Sequence, residues 1–278
     1  MNCVQRGSTK IPVVITIASS DCRGGAGIQA DLRTFAVLGV HGTTAITSVS
    51  AQEGASPLTI DDVRPTMIQK QIAAVANDMN ISAGKTGMLN TEQIIEAVTS
   101  EIANHKFPLI VDPVMVTKSG IPILKESAVN AMKRHLLPCA TIVTPNKPEA
   151  EKLTGMRIET IADAKTCAER IAEMGPKAVV VKGGRLTEEQ AVDILYYKQE
   201  HRLLTAPWFT TKTVRGSGCT FSAAIVAQLA KGQDIPEAVQ TAKEFVTLAI
   251  RFGLEIGKEY GPVNQMAYLH RGQSNRSF

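Results

Sequence analysis

Residues 13–38 read VVITIASSDCRGGAGIQADLRTFAVL, and three textures follow one another within them. Val13 to Ile17 is a β-branched, apolar run, which suits a strand buried on both faces. Asp21 to Gly27 is small and glycine-rich, which suits a turn. From Ile28 onward the apolar residues Ile28, Leu32, Phe35 and Leu38 fall on one helical face. Gln29, Asp31 and Arg33 are expected to leave the rest of that helix to solvent. A strand, a tight turn and an amphipathic helix form the first half of a βαβ unit.

The alternation continues along the chain. Further strand-like runs are TAITSVS (44–50), LIVD (109–112), TIVT (141–144) and AVVVK (178–182). Helical patterns at 63–79, 91–103, 124–136 and 162–174 lie among them. Continuous apolar strands joined by helices predict an α/β fold, a largely parallel sheet covered on both sides. The texture changes after residue 190. AVDILYYKQEHRLLTAPWF (191–209) reads as two antiparallel strands joined at Lys198 to Glu200. Two helices then follow, at 219–232 and 235–253, the second with Pro236 in its first turn. With no linker and no repeat, residues 1–278 read as one domain, with 1–10 and 271–278 expected to be flexible.

Composition narrows the function classes. The 278 residues are 44% hydrophobic, enough for a substantial core. A net charge of +4, from 30 basic and 26 acidic residues, shows no basic stripe with interleaved aromatics, so nucleic acid is not an expected partner. No apolar run reaches the 18 or so residues that span a bilayer, so no membrane is expected. The five cysteines are scattered and form no CxxC, which suits a reducing, cytoplasmic setting.

In open α/β sheets, ligands bind beyond the carboxyl ends of the strands. The segments there are SDCRGGAG, SAQEG, DPVM, TPNKPE, KGG and RGSGC. Gly216, Ser217 and Gly218 precede a helix that carries Cys219. Glycines leave their amides uncovered, and a helix start adds unpaired N–H groups, so together they can cradle an anion. GSGC alone fits an ordinary glycine turn into a helix somewhat better. The phosphate loop GxxxxGK[ST] is absent: GKT occurs at 84–86, but Met79 stands where its first glycine belongs. Asp112 and Asn146 stand at strand ends. Asn146 and Glu149 also fit a helix cap with a first-turn acid. Asp112 and Glu149 would suffice for Mg²⁺, which needs few carboxylates beside phosphates. Lys182, after AVVV, can neutralise phosphate charge or be plain surface.

At this point the chain resembles the hydroxymethylpyrimidine and phosphomethylpyrimidine kinases, members of the ribokinase-like superfamily. The strings that carry the resemblance are TIASSDCRGGAGIQADLRTFAVLGVHG (16–42), AITSVSAQ (45–52), KTGML (85–89), VDPVMVTKSG (111–120), TPNKPEAEKLTG (144–155), VVVKGG (179–184), GSGCTFSAAI (216–225) and GPVN (261–264). The resemblance implies a three-layer α/β/α fold and phosphoryl transfer from ATP with Mg²⁺. Its substrates would be 4-amino-5-hydroxymethyl-2-methylpyrimidine and the monophosphate, and its product the diphosphate used for thiamine. It places the reactive cysteine on Cys219 within the cradle Gly216, Ser217 and Gly218. It places the pyrimidine-reading glutamine on Gln52 and the pocket methionine on Met88, with Ala18, Ser19, Asp21 and Gly27 beside them. Asn146, Lys182 and Gly184 fall on the nucleotide side, and Asp112 and Glu149 on the metal. It also implies a homodimer.

The helix-start N–H groups are expected to ease ionisation of Cys219, which would act as general base. Two departures stand out. Ser19 replaces a family glycine and is expected to narrow the pocket. Arg23 adds charge near its mouth and is expected to favour a phosphorylated substrate. The rival readings are a pyridoxine, pyridoxal or pyridoxamine kinase, a sugar kinase, and a regulatory protein that keeps the fold. Retention of Asp112, Glu149 and Cys219 speaks against the last.

Overall fold

The computed structural model describes residues 10–52, 58–116, 123–187, 189–258 and 260–270. Its strands are β1 (Val13–Asp21), β2 (His41–Ala51), β3 (Thr59–Asp62), β4 (Ile81–Thr86), β5 (Leu109–Val111), β6 (Ile142–Val143), β7 (Ala178–Lys182), β8 (Gln190–Tyr197) and β9 (Glu200–Pro207). The helices are α1 (Gly27–Val37), α2 (Pro65–Asp78), α3 (Glu92–Ile102), α4 (Glu126–Ala131), α5 (Lys147–Thr154), α6 (Ile161–Ala172), α7 (Ser217–Ala230) and α8 (Ile235–Arg251). One sheet runs in the order β3-β2-β1-β4-β5-β6-β7-β8-β9. Its six central strands are parallel; β3 and β8 pair antiparallel with this block, and β9 pairs antiparallel with β8. The expected largely parallel sheet is therefore found.

Side chains alternate across a strand, so a strand between two helical layers must be apolar at every position. Ile15, Ile17, Val111, Val143, Val179 and Val181 enter one core with Ile68, Ile95, Val129, Leu153 and Cys167 of α2 to α6. Their neighbours Val14, Ile110, Ile142 and Val180 enter the other, with Phe35 of α1, Ile225 of α7 and Phe245 of α8. These are the three expected layers. Among the described residues no helix is long and apolar enough to cross a membrane.

Three features correct the sequence reading. Asp31 is not on a solvated face: it is fully buried, accepting from Lys85 Nζ at 2.8 Å and from Thr16 Oγ1 at 2.7 Å. Lys85 lies in β4, a central strand whose Ser82, Gly84 and Lys85 hide its character. Gly84 is required there, since a Cβ would come 2.7 Å from Ile15 Cγ2. The helix read over 124–136 is only partly α-helical: after α4 the chain widens into a π turn at Met132–Leu136. Of the segments expected to be flexible, 1–9 and 271–278 lie outside the described residues.

Candidate active site

The parallel strands end together, and the cleft is built from the segments that leave their carboxyl ends. After β1 the chain turns sharply through residues 21–27. Asp21 organises that turn: its Oδ1 accepts from Arg23 N, and its Oδ2 accepts from Gly25 N and Ala26 N. Arg215 closes on the same carboxylate, with Nη2 to Oδ1 at 3.0 Å and Nε to Oδ2 at 3.3 Å. Burial works to raise the Asp21 pKa, but Arg215 and the amides of Ala26 and Arg23 outweigh it and hold the carboxyl below its usual value. Asp21 therefore shapes the pocket and has little left to offer a substrate.

Two glycines allow the loops to interlock. Gly216 has φ +79°, and a Cβ there would sit 1.8 Å from Gly25 O. Gly27 has φ +57°, and a Cβ would meet Ser19 O at 2.3 Å. No other residue fits either place without moving backbone. Gly216 caps α7, so Ser217, Gly218 and Cys219 form its first turn, with their amides at the helix start.

Asp112, after β5, is buried and hydrogen-bonded on both oxygens, with acceptor capacity left on Oδ2. It accepts from Lys182 Nζ at 2.9 Å and Thr144 Oγ1 at 3.3 Å on Oδ1, and from Ser222 Oγ at 3.2 Å on Oδ2. Burial raises its pKa, yet Lys182 and Lys85 outweigh this and keep it ionised. The Asp112–Lys182 pair lies directly against the cradle: a Cβ on Gly218 would be 3.3 Å from Lys182 Nζ and 3.8 Å from Asp112 Oδ2. Asn146 bridges to Lys182 at the next strand end. Asn146 and Glu149 form a reciprocal capping box on α5, so the bland reading of these residues is correct as far as it goes. Glu149 is nonetheless buried beside Asp112. Its pKa is pushed up to about 7 by burial, with Lys182 opposing and Asp112 adding to the rise. Two crowded carboxylates, one partly protonated near neutral pH, fit a divalent cation that brings its other ligands as phosphate and water. Among the described residues no cluster of three or more His, Cys, Asp or Glu encloses a metal.

Cys219 is half-buried between these halves. Burial pushes its thiol up to about 11, outweighing the positive potential of Lys85 and the nearby Gly27 amide. This corrects the expectation that helix-start amides would ease its ionisation. Lys85 itself stays charged: burial opposes its proton, and Asp31, Cys219 and Asp112 more than compensate. The Lys85–Asp31 pair is a part of the site that sequence reasoning missed.

The substrate-side residues fall near one another at the ends of β1, β2 and β4. Ala18 packs against Gly87, whose added Cβ would be 2.9 Å from Ala18 Cβ. Ser19 sits at a bulge in β1, and its hydroxyl donates to Ser48 O at 3.2 Å, turned into the sheet, so the hydroxyl itself does not narrow the pocket. Met88 is half-buried, its carbonyl held by Thr47 Oγ1. Gln52 Oε1 is 3.5 Å from Arg215 Nη1. Arg23 is exposed, with Nη2 beside Gly257. Gly184 has φ +65° and its carbonyl holds the turn into β8, leaving only its amide for a ligand. A separate open groove of about 750 Å³, lined by residues such as Val37, Thr241 and Leu248, lies among the helices and contains none of these groups.

The sequence profile described as Phosphomethylpyrimidine kinase matches residues 21–264. The chain belongs to the phosphomethylpyrimidine kinase family. It is 44% identical to the hydroxymethylpyrimidine/phosphomethylpyrimidine kinase of Haemophilus influenzae over 265 residues, 94% of this chain and 98% of that protein. Among solved structures, the phosphomethylpyrimidine kinase of Clostridium difficile 630 is 40% identical, with a TM-score of 0.76 over 87% of this chain and 100% of that one. An ADP complex of Bacillus subtilis pyridoxal kinase is 36% identical, with a TM-score of 0.87 over 93% of this chain and 99% of that one. The ribokinase-like fold and the kinase class come with this membership.

Proposed function

We propose that this cleft transfers the γ-phosphoryl group of ATP to 4-amino-5-hydroxymethyl-2-methylpyrimidine, and then to the resulting monophosphate, on the route to thiamine diphosphate. The observation that carries the reading is the Asp112–Lys182 pair lying against the Gly218 backbone, one residue from Cys219. Donor-phosphate neutralisation, an anion cradle and a proton acceptor are thereby contiguous. The hydroxymethyl oxygen attacks the γ-phosphorus, the bond to the β,γ-bridging oxygen breaks, and ADP departs. The hydroxyl proton passes to Cys219 in its thiolate form, which becomes the neutral thiol. Charge that develops on the equatorial oxygens meets the amides of Gly218 and Cys219. Gln52 and Met88 hold the ring, and Asn146, Lys182 and Gly184 hold the nucleotide. Mg²⁺, held by Asp112 and Glu149, would neutralise part of the donor charge.

Vitamin B6 remains the second reading, because the Bacillus subtilis pyridoxal kinase superposes at a TM-score of 0.87. A phosphoryl-transfer panel with ATP decides between them, using the pyrimidine alcohol, its monophosphate, and pyridoxine, pyridoxal and pyridoxamine. Both pyrimidines are expected to react, with kcat/KM above that of each B6 form. Higher kcat/KM on pyridoxal would reverse the order. Activity is expected to vanish in excess chelator and return with Mg²⁺; full activity in chelator would remove the metal. The same reading takes the chain as one domain, supported by the continuous sheet, and as a cytoplasmic enzyme, supported by its cysteine usage. A homodimer comes from the family resemblance, and sedimentation equilibrium tests it.

A further inference from the structure

We propose that Arg215 receives the phosphate of the monophosphate substrate and so sets the preference between the two phosphorylation steps. The inference rests on the kinase reading above. Arg215 stands immediately before the cradle. Its backbone is fixed by Arg215 N to Gly261 O and by Val263 N to Arg215 O. Its stem lies on Gly25, where a Cβ would come 2.9 Å from Arg215 Cδ. The head group is therefore held in place before any ligand arrives.

A guanidinium carries five N–H donors. Here Nε and one Nη2 N–H go to Asp21, and one Nη1 N–H points at Gln52 Oε1. Two N–H groups keep no protein partner among the described residues, and the side chain is 23% exposed. Asp21 neutralises Arg215 only in part, because its carboxylate is also shared by the amides of Arg23, Gly25 and Ala26. The cation thus sits between the ring-reading Gln52 and Gly216, the first residue of the cradle. A CH₂–O–PO₃ group that joins the ring to the cradle must pass that point. The monophosphate carries nearly two negative charges there; the alcohol carries none. Arg23, the cation that the sequence suggests for this role, is exposed and lies against Gly257 instead.

The experiment compares Arg215→Gln, Arg215→Lys and the control Arg23→Met. For each, kcat/KM is measured on the alcohol and the monophosphate, and monophosphate affinity is measured by calorimetry without ATP. Arg215→Gln keeps a donor for Asp21 but loses the charge. It is expected to lower kcat/KM for the monophosphate about 10- to 100-fold more than for the alcohol, mainly through KM, the range for lost hydrogen bonds to a charged group. Arg215→Lys is expected to recover part of that loss, and Arg23→Met to leave the ratio within about twofold. Equal losses on both substrates, with the thermal transition intact, overturn the proposal. So does a shift of the ratio by Arg23→Met alone. If the wild type phosphorylates neither pyrimidine, the kinase reading fails while calorimetry still judges Arg215. Monophosphate binding that Arg215→Gln weakens at least tenfold supports it, and wild-type protein that does not bind the monophosphate overturns it. If Arg215→Gln does not fold, Arg215→Lys decides: it must lower kcat/KM for the monophosphate more than for the alcohol.

Discussion

Cys219 holds a thiol pushed up to about 11 in a place where the first substrate needs a proton acceptor. The two facts are compatible if the proton moves late. Phosphoryl transfer has a loose transition state, in which the attacking oxygen gains little bond order before the leaving group departs. A thiolate that is scarce at neutral pH is also a strong base when it forms. The first step is therefore expected to speed up as pH rises from 7 towards 9, because deprotonation of a group with a raised pKa is still incomplete there. A rate on the alcohol that falls over that window would exclude Cys219 as base. The second step differs in kind, since the nucleophile is an already anionic phosphate oxygen with no proton to lose. Cys219→Ala is expected to cost about 10²- to 10⁴-fold on the alcohol and far less on the monophosphate. Equal losses would mean that the cysteine shapes the site and takes no proton. At this scale the sequence is legible for Cys219, Asp112 and Lys182, which stand at strand ends or glycine turns. It is not legible for Asp31, whose partner Lys85 is 54 positions away. Arg215 stands in view within RGSGC, but only the glycines of that segment carry a local signal.

The elements divide along similar lines. β1, β5, β6 and β7 announce themselves as apolar runs because both faces are buried. β4 does not, because ISAGKT spends its positions on close approach and a buried charge. β3 is a four-residue edge strand, TIDD, with acidic residues of the kind that discourage further pairing, and so reads as loop. The β8–β9 hairpin is legible by alternation, but its turn is chemically unusual. Lys198 and Gln199 hold φ of +50° and +64°, both in the left-handed region. A two-residue hairpin turn of this kind favours Asn-Gly. Lys198→Asn with Gln199→Gly is expected to stabilise the protein by on the order of 1 kcal/mol, read as a rise in the denaturation midpoint with an unchanged slope. A lower midpoint would mean that contacts of Lys198, which sits over the Tyr197 ring at 5.2 Å, outweigh the backbone relief.

Across the whole molecule, the Lys85–Asp31 pair ties β4 to α1 beneath the cleft, with neither side chain exposed. Breaking a buried pair leaves one charge stranded, at a typical cost of about 3–5 kcal/mol. Lys85→Met is therefore expected to lower the melting temperature sharply, and Lys85→Met with Asp31→Leu to recover much of the loss. A double variant no more stable than the single would show that the charges are not the issue. The interlock of Gly25 with Gly216 has a consequence in time. Asp21 and Arg215, which clamp the same junction, are 194 positions apart in the chain. At about 5–20 residues per second, a ribosome places the second loop on the order of ten to forty seconds after the first. Through that interval the nascent chain has a substrate turn and no cradle, so it has no means of splitting ATP to water while it waits to be finished.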